Sequence, residues 1–287
     1  AFTEKTGIEV NYMTFESNET MYTKLKTGGS SYDIIIPSDY MISRLIDEDM
    51  LEEIDTSKIE NYKYIDEAYK NTTYDPENKY SVPYTWGTVG VIYNKKYVDE
   101  RDIGSWDLLW NENYSGKILM FNNPRDSFAI ALSLLGYDIN TEDEAQLCEA
   151  AEKLKEQKPL VQQYVMDEIF HMLEREEAWI GVYYAGDYLL MAEENENLGF
   201  YFPEEGYNLF IDAICIPKGC KNYDLALEYI NFLCDPEIGG ENLDYLGYST
   251  PMTDAKQYMD PDTVASEIAY PDDETLSRGK GFVNLSP

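Results

Sequence analysis

The sequence predicts an α/β fold with a largely parallel sheet, and three observations predict it. Short apolar runs rich in β-branched residues alternate along the chain with stretches of helical periodicity, in the order strand, helix, strand, helix. Capping and stop residues stand at the junctions between them. With 287 residues, 44% of them apolar and 14% aromatic, the chain has enough material for one large domain or two of ordinary size.

In chain order, Ile8 to Thr14 reads as a strand. Asn18 to Lys26 reads as a helix stopped by Gly28 and Gly29, Tyr32 to Ile36 as a strand and Tyr40 to Met50 as a helix. Tyr80 to Asn94 is extended, with Pro83 and Gly87 expected to break it, and is a plausible place for the chain to cross between domains. Ser105 opens a short helix with Trp106, Leu109 and Trp110, and Lys117 to Met120 is a strand. In NNPRD, Asn123 suits an N-cap and Pro124 the first helical position, with Phe128, Leu132 and Leu135 forming an apolar stripe up to Gly136. Thr141 and Glu144 have capping-box spacing for an acidic helix through Lys155. Trp179 to Tyr184 and Leu209 to Ile216 are strands, and Asn222 to Cys234 is a helix.

Within this frame the stretch IIIPSDYM, Ile34 to Met41, joins a doubly buried strand to polar groups. Proline ends the strand because it lacks a ladder N–H. Loops beyond the carboxyl ends of such strands line ligand crevices, so Ser38, Asp39 and Tyr40 are candidate contacts. Ser38 or Asp39 could equally cap the following helix.

Charge and motifs narrow the function classes. The chain has 22 Lys and Arg against 55 Asp and Glu, a formal net charge of -33. Its summed field repels nucleic acid and anionic lipid and favours cationic partners. Most of the acids lie on solvated faces and in turns, so the net charge locates no site. No run of eighteen apolar residues exists to span a membrane, and AFTEKTGIEV lacks the regions of a signal peptide.

Cys148, Cys215, Cys220 and Cys234 show no CxxC spacing and no grouping with the single histidine, His171, which argues against zinc. They read as buried free thiols. GxSxG, P-loop and HExxH motifs are absent, and His171 beside Phe170 and Met172 reads as structural. No catalytic residues, metal or cofactor are expected.

The chain resembles the extracytoplasmic spermidine/putrescine-binding proteins of ABC importers through FTEKTGIEV, FESNETMYTKLKTG, YDIIIPSDY, YSVPYTWGTVGV, SWDLLW, FIDAICIP, INFLCDPE, LGYSTP and AYPDDETL, in that order. The resemblance implies a two-lobed, type II periplasmic-binding-protein-like α/β fold, each lobe a mixed sheet flanked by helices, with the ligand cleft between lobes. Residues 1–87 and 212–256 would form the first lobe, lacking its first strand, and 88–211 and 257–287 the second. A first strand before Ala1 and a terminal helix after Pro287 are implied but not included in the sequence.

The family's ligand contacts fall here on Ser38 and Tyr40, on Asn123 and Asp126 where two acids are usual, on Tyr184 and Phe210 in place of tryptophans, and on Asp212 and Tyr248. Asp39 stays open between cap and contact, and a late glutamine has no counterpart near Phe282. Polyamine chemistry agrees with these residue types: Asp126 and Asp212 would fix ammonium groups, while Tyr40, Tyr184, Phe210 and Tyr248 cover the methylenes and add cation–π attraction. An amide at Asn123 and the missing glutamine point to the shorter ligand, putrescine.

The implied partners are a polyamine and the permease subunits of an ABC transporter, with no nucleic acid and no membrane insertion. The protein is expected to be a monomer outside the cytoplasm. Two alternatives stand beside this reading: ferric ion held by Tyr183 and Tyr184, and a hydrolase using Asp126 and Asp212.

Overall fold

The computed structural model describes residues 1–28 and 31–285. In chain order the first elements are α1 (Phe2–Thr6), α2 (Asn18–Lys26), α3 (Asp39–Asp47), β1 (Ser81–Asn94), β2 (Ile118–Phe121), α4 (Pro124–Leu134), α5 (Glu144–Gln157) and β3 (Val161–Val165). There follow α6 (Ile169–Glu174), β4 (Ile180–Tyr184), α7 (Ala185–Glu194), β5 (Leu198–Tyr201), β6 (Tyr207–Cys215), α8 (Tyr223–Leu233), α9 (Pro236–Leu246), α10 (Pro261–Ala265), α11 (Asp273–Leu276) and β7 (Gly279–Lys280). Short 3-10 turns join them, among them Trp106–Trp110, capped by Ser105.

The chain divides into two compact units. The first comprises Ala1–Trp86, Ile211–Tyr245 and Thr250–Pro261, and the second Gly87–Phe210, Leu246–Ser249 and Asp262–Pro287. β1 carries the chain from the first into the second at Trp86 and Gly87, and β6 carries it back at Phe210 and Ile211.

In the first unit α2 has the expected bounds, because Ser17 caps it by accepting from the Thr20 N–H at 3.1 Å and Gly28 leaves it with φ of 67°. Gly29 lies outside the described residues. Strand β6 sorts the core by parity: Ala213 and Cys215 pack with Met21, Met41, Ile42 and Leu45 of α2 and α3, while Ile214 and Ile216 pack with Ile230 and Leu233 of α8. Two expected strands are not ladders. Ile8 to Thr14 carries no strand assignment and is exposed from Glu9 onward, with Tyr12 and Met13 in solvent. Tyr32 to Ile36 reduces to single antiparallel bridges, Ile35 to Cys215 and then Ser38 to Asp212.

In the second unit β1 lies antiparallel to β4 and to β5, while β2 is parallel to β3 and β4. The overall strand order is β3-β2-β4-β1-β6-β7 with β5 on β1, and β6 is parallel to β7. The sheet is therefore mixed rather than largely parallel. Its core gathers Val91, Ile92, Trp106, Leu109, Leu119, Phe121, Ile180 and Val182. β1 runs unbroken through Pro83 and Gly87. Gly87 is small for a packing reason: a Cβ there would come 2.7 Å from the Phe210 ring.

Asn123 caps α4 as expected, accepting from the Arg125 N–H at 2.9 Å. The expected capping box does not form, because Asp143 is the N-cap of α5 and binds the Ala145 and Gln146 N–H groups. All four cysteines are free; Cys215 and Cys234 are buried, whereas Cys148 is exposed. His171 is an exposed residue of α6. Among the described residues no helix is long and apolar enough to cross a membrane.

Candidate functional site

On the first unit the structure brings Ser38 and Asp212 together. The backbone of Pro37 and Ser38 runs antiparallel to β6, with the Ala213 N–H donating to the Pro37 carbonyl at 3.1 Å. Ser38 takes the N-cap position of α3, yet its side chain makes no cap bond. The reason is Asn18, at the start of α2: its Nδ2 donates to Ser38 Oγ at 3.1 Å, and its Oδ1 accepts the Ser38 N–H at 3.1 Å. With its oxygen accepting from Asn18, the hydroxyl donates to the Asp212 carboxylate.

Asp212 Oδ1 is enclosed and has no hydrogen-bond partner among the described residues. Burial pushes this carboxyl up to about 6, a rise that the Ser38 bond only tempers. An enclosed carboxylate without a cation is costly, and a cation or a proton relieves it.

The neighbouring candidates serve different ends. Asp39, buried at the first turn of α3, accepts the Tyr40 N–H at 2.7 Å through Oδ1. Tyr40 packs beside Met41 and Leu45 and donates its hydroxyl to Glu19 at 2.8 Å.

On the second unit Tyr184, Phe210 and Tyr248 form a run of aromatic faces. The Tyr184 and Phe210 centroids lie 5.4 Å apart, edge to face, and those of Phe210 and Tyr248 6.4 Å apart. Tyr184 ends β4 and opens α7 without a side-chain cap bond. Two glycines bring Tyr248 onto α7. A Cβ on Gly186 would lie 2.8 Å from the Gly247 carbonyl oxygen and 2.9 Å from the Tyr248 ring, and one on Gly247 would lie 2.7 Å from the Gly186 oxygen. Gly247 also has φ of 75°, which side chains disfavour. This close approach puts the Tyr248 hydroxyl 2.6 Å from Asp187 Oδ2.

Gly186→Ala is therefore expected to destabilise the protein by about 1–3 kcal/mol through overpacking, despite alanine's better helix propensity. A urea melt checks it, and an unchanged midpoint would contradict the close-packing account.

Asp187 escaped the sequence reading. It is the third residue of α7, where an acid ordinarily serves the helix dipole, and only its spacing from Tyr184 could have distinguished it among 55 acids. Its carboxyl is pushed up to about 7, first by burial and further by Asp167, against the lowering bond from Tyr248. Asp167 in turn accepts the Tyr183 hydroxyl at 2.9 Å.

Asn123 and Asp126 also meet, but in a self-contained way. Asp126 is buried, its Oδ2 accepting from Asn123 Nδ2 at 2.6 Å and its Oδ1 from Asn208 at 3.4 Å. It lines a cavity of about 10 Å³ with Trp106, Tyr207 and Asn208. The amide at position 123 supplies the donor that a carboxylate pair would need from a cation. Among the described residues no group of three or more His, Cys, Asp and Glu side chains could hold a metal ion.

Two α/β units joined by β1 and β6, the first carrying an enclosed carboxylate and the second a run of aromatic faces, fit a solute-binding protein. The chain belongs to the bacterial extracellular solute-binding proteins, whose family model matches residues 1–272. The spermidine/putrescine-binding periplasmic protein of Salmonella typhimurium is 36% identical over 280 residues, covering 97% of this chain and 80% of the relative. Its Escherichia coli counterpart is 35% identical over the same length and coverage. Among solved structures, the spermidine/putrescine ABC transporter substrate-binding protein PotD of Streptococcus pneumoniae is 42% identical, with a TM-score of 0.83, covering all of this chain and 87% of that one. A structure from Listeria monocytogenes reaches a TM-score of 0.96 at 38% identity, covering 99% and 88%.

Proposed function

We propose that this protein is the extracytoplasmic substrate-binding component of a polyamine ABC importer, binding putrescine or spermidine and presenting it to the membrane permease. The observation that carries the reading is Asp212, a carboxylate with one oxygen enclosed and unpartnered in a chain similar to spermidine/putrescine-binding proteins. A primary ammonium group supplies both the charge and the hydrogen bonds such an oxygen lacks. The two units correspond to the two lobes of the family. Ser38, Tyr40 and Asp212 are the contacts on the first, and Tyr184, Phe210 and Tyr248 give the methylene chain aromatic surface on the second.

Asn123 and Asp126 have a smaller share in this account than their family positions imply, because they satisfy each other. Fewer acids for a third nitrogen favour putrescine over spermidine. The protein is not an enzyme and returns its ligand unchanged.

A thermal-shift screen with putrescine, spermidine, spermine, simple amines and ferric salts tests the assignment. Putrescine or spermidine at about 100 times its dissociation constant is expected to add about 2.7 kcal/mol of stability. No shift with any polyamine would refute the proposal, and a shift with iron alone, with a phenolate colour, would favour Tyr183 and Tyr184 as ligands.

A further inference from the structure

We propose that the cavity between α4, β1 and β6 of the second unit is the site of one structural water molecule, which pairs with Asn208 and through it fixes the carboxylate of Asp126. The cavity measures about 10 Å³, about the size of a single water. Asn208 of β6 is the observation that calls for an occupant. It is 7% exposed, it lines the cavity, and its Oδ1 is enclosed with no hydrogen-bond partner among the described residues. Buried side-chain oxygens without a donor are rare in folded proteins, and an internal water is their usual partner.

The protein donors beside this oxygen are committed elsewhere. Trp106 Nε1 donates to the Gly206 carbonyl at 2.8 Å, and the Tyr207 hydroxyl to the Thr275 carbonyl at 2.6 Å. Turning the Asn208 amide over gives no remedy. Its Nδ2 donates to Asp126 Oδ1 at 3.4 Å, and the turned amide would set an oxygen against a carboxylate. Of the remaining wall, Val89, Ala129 and Ile130 are apolar, whereas the buried Ser133 adds a hydroxyl that both donates and accepts. A wholly apolar cavity of this size stays dry, but an amide oxygen, a hydroxyl and a carboxylate supply the about two to four polar partners that retain an internal water. With its oxygen held by that water, Asn208 keeps its N–H group on Asp126, whose other oxygen accepts from Asn123 at 2.6 Å. The water thereby completes the arrangement that satisfies Asp126 from within the second unit, and it does so whichever ligand the protein carries.

A crystal structure of the full chain, grown once in sodium and once in ammonium salts, tests this together with deuteron relaxation dispersion in solution, which counts long-lived internal waters. An ordered peak is expected about 2.7–3.2 Å from Asn208 Oδ1 and at the same range from Ser133 Oγ or the Asp126 carboxylate, unchanged between the two salts. Asn208→Leu removes the amide, and Ser133→Val sets a methyl group into the cavity. Each variant, with folding confirmed by circular dichroism, is expected to show one long-lived water fewer than the parent. No peak in the parent, a peak that follows the cation supplied, or an unchanged water count in the folded variants would overturn the proposal.

Discussion

Asp212→Asn is expected to weaken polyamine binding roughly 30-fold to 1,000-fold while the protein stays folded. The substitution changes one atom's chemistry and little else. Asparagine fits the same space, and its Oδ1 can still accept the Ser38 hydroxyl that Asn18 holds in position. What is lost is the negative charge, together with the acceptor at the enclosed Oδ1. Inside a desolvated site a charge-assisted hydrogen bond and its ion pairing contribute about 2–4 kcal/mol.

Asp39→Asn serves as the control: Asp39 spends Oδ1 on the Tyr40 N–H within α3, so it should lower stability slightly and leave affinity nearly intact. Calorimetry with putrescine reads both variants. Equal affinity of parent and Asp212→Asn would remove Asp212 from the site, and a large loss in Asp39→Asn would move the site into the first turn of α3.

Much of this arrangement was legible because it is written in local signals. The bounds of α2 follow from Ser17 and Gly28, the start of α4 from Asn123 and Pro124, and the extended character of β1 was legible although its expected breaks at Pro83 and Gly87 do not occur. Where the outcome depended on partners distant in sequence, the reading failed. Ile8 to Thr14 alternates like a strand but finds no ladder among the described residues, and antiparallel pairing of β1 with β4 and β5 cannot be seen in element order. Gly87 looked like a strand breaker because its reason for being small, the Phe210 ring, lies 123 residues further on.

The site divides the same way. Ser38, Tyr40, Asn123, Asp126, Tyr184, Phe210, Asp212 and Tyr248 are the candidates that motif resemblance offers. The partners that tune them, Asn18 and Asp187, required coordinates: one looks like an ordinary first-turn residue and the other like one more acid on a helix.

The unliganded protein is expected to become more stable as pH falls from 8 to 5.5, the reverse of what paired carboxylates produce. Asp212 and Asp187 are raised from 3.8 to about 6 and about 7, so between pH 4 and 7 the native state binds more protons than the unfolded chain. Stability then decreases with rising pH over that interval, being fully present below about 4 and lost through the two folded values. Integrated from pH 5.5 to pH 8, the two groups together account for about 2–3 kcal/mol.

Carboxylates stabilised by partners act in a lower window and with the opposite sign. Glu48, lowered to about 2 by Tyr22, Lys26 and Arg44, keeps its contribution throughout pH 5.5–8. Asp187→Asn should therefore melt higher than the parent at pH 8 and show a flatter pH dependence, because the amide accepts the Tyr248 hydroxyl without carrying a buried charge. Saturating putrescine should invert the parent's slope, since the ligand pairs with the ionised acids. Thermal melts at pH 5.5, 7 and 8, with and without putrescine, decide the matter. A free protein that loses stability steadily from pH 8 to pH 5.5, or an Asp187→Asn variant less stable than the parent at pH 8, would mean that these carboxylates carry no burial cost and that ligand charge is not what the site lacks.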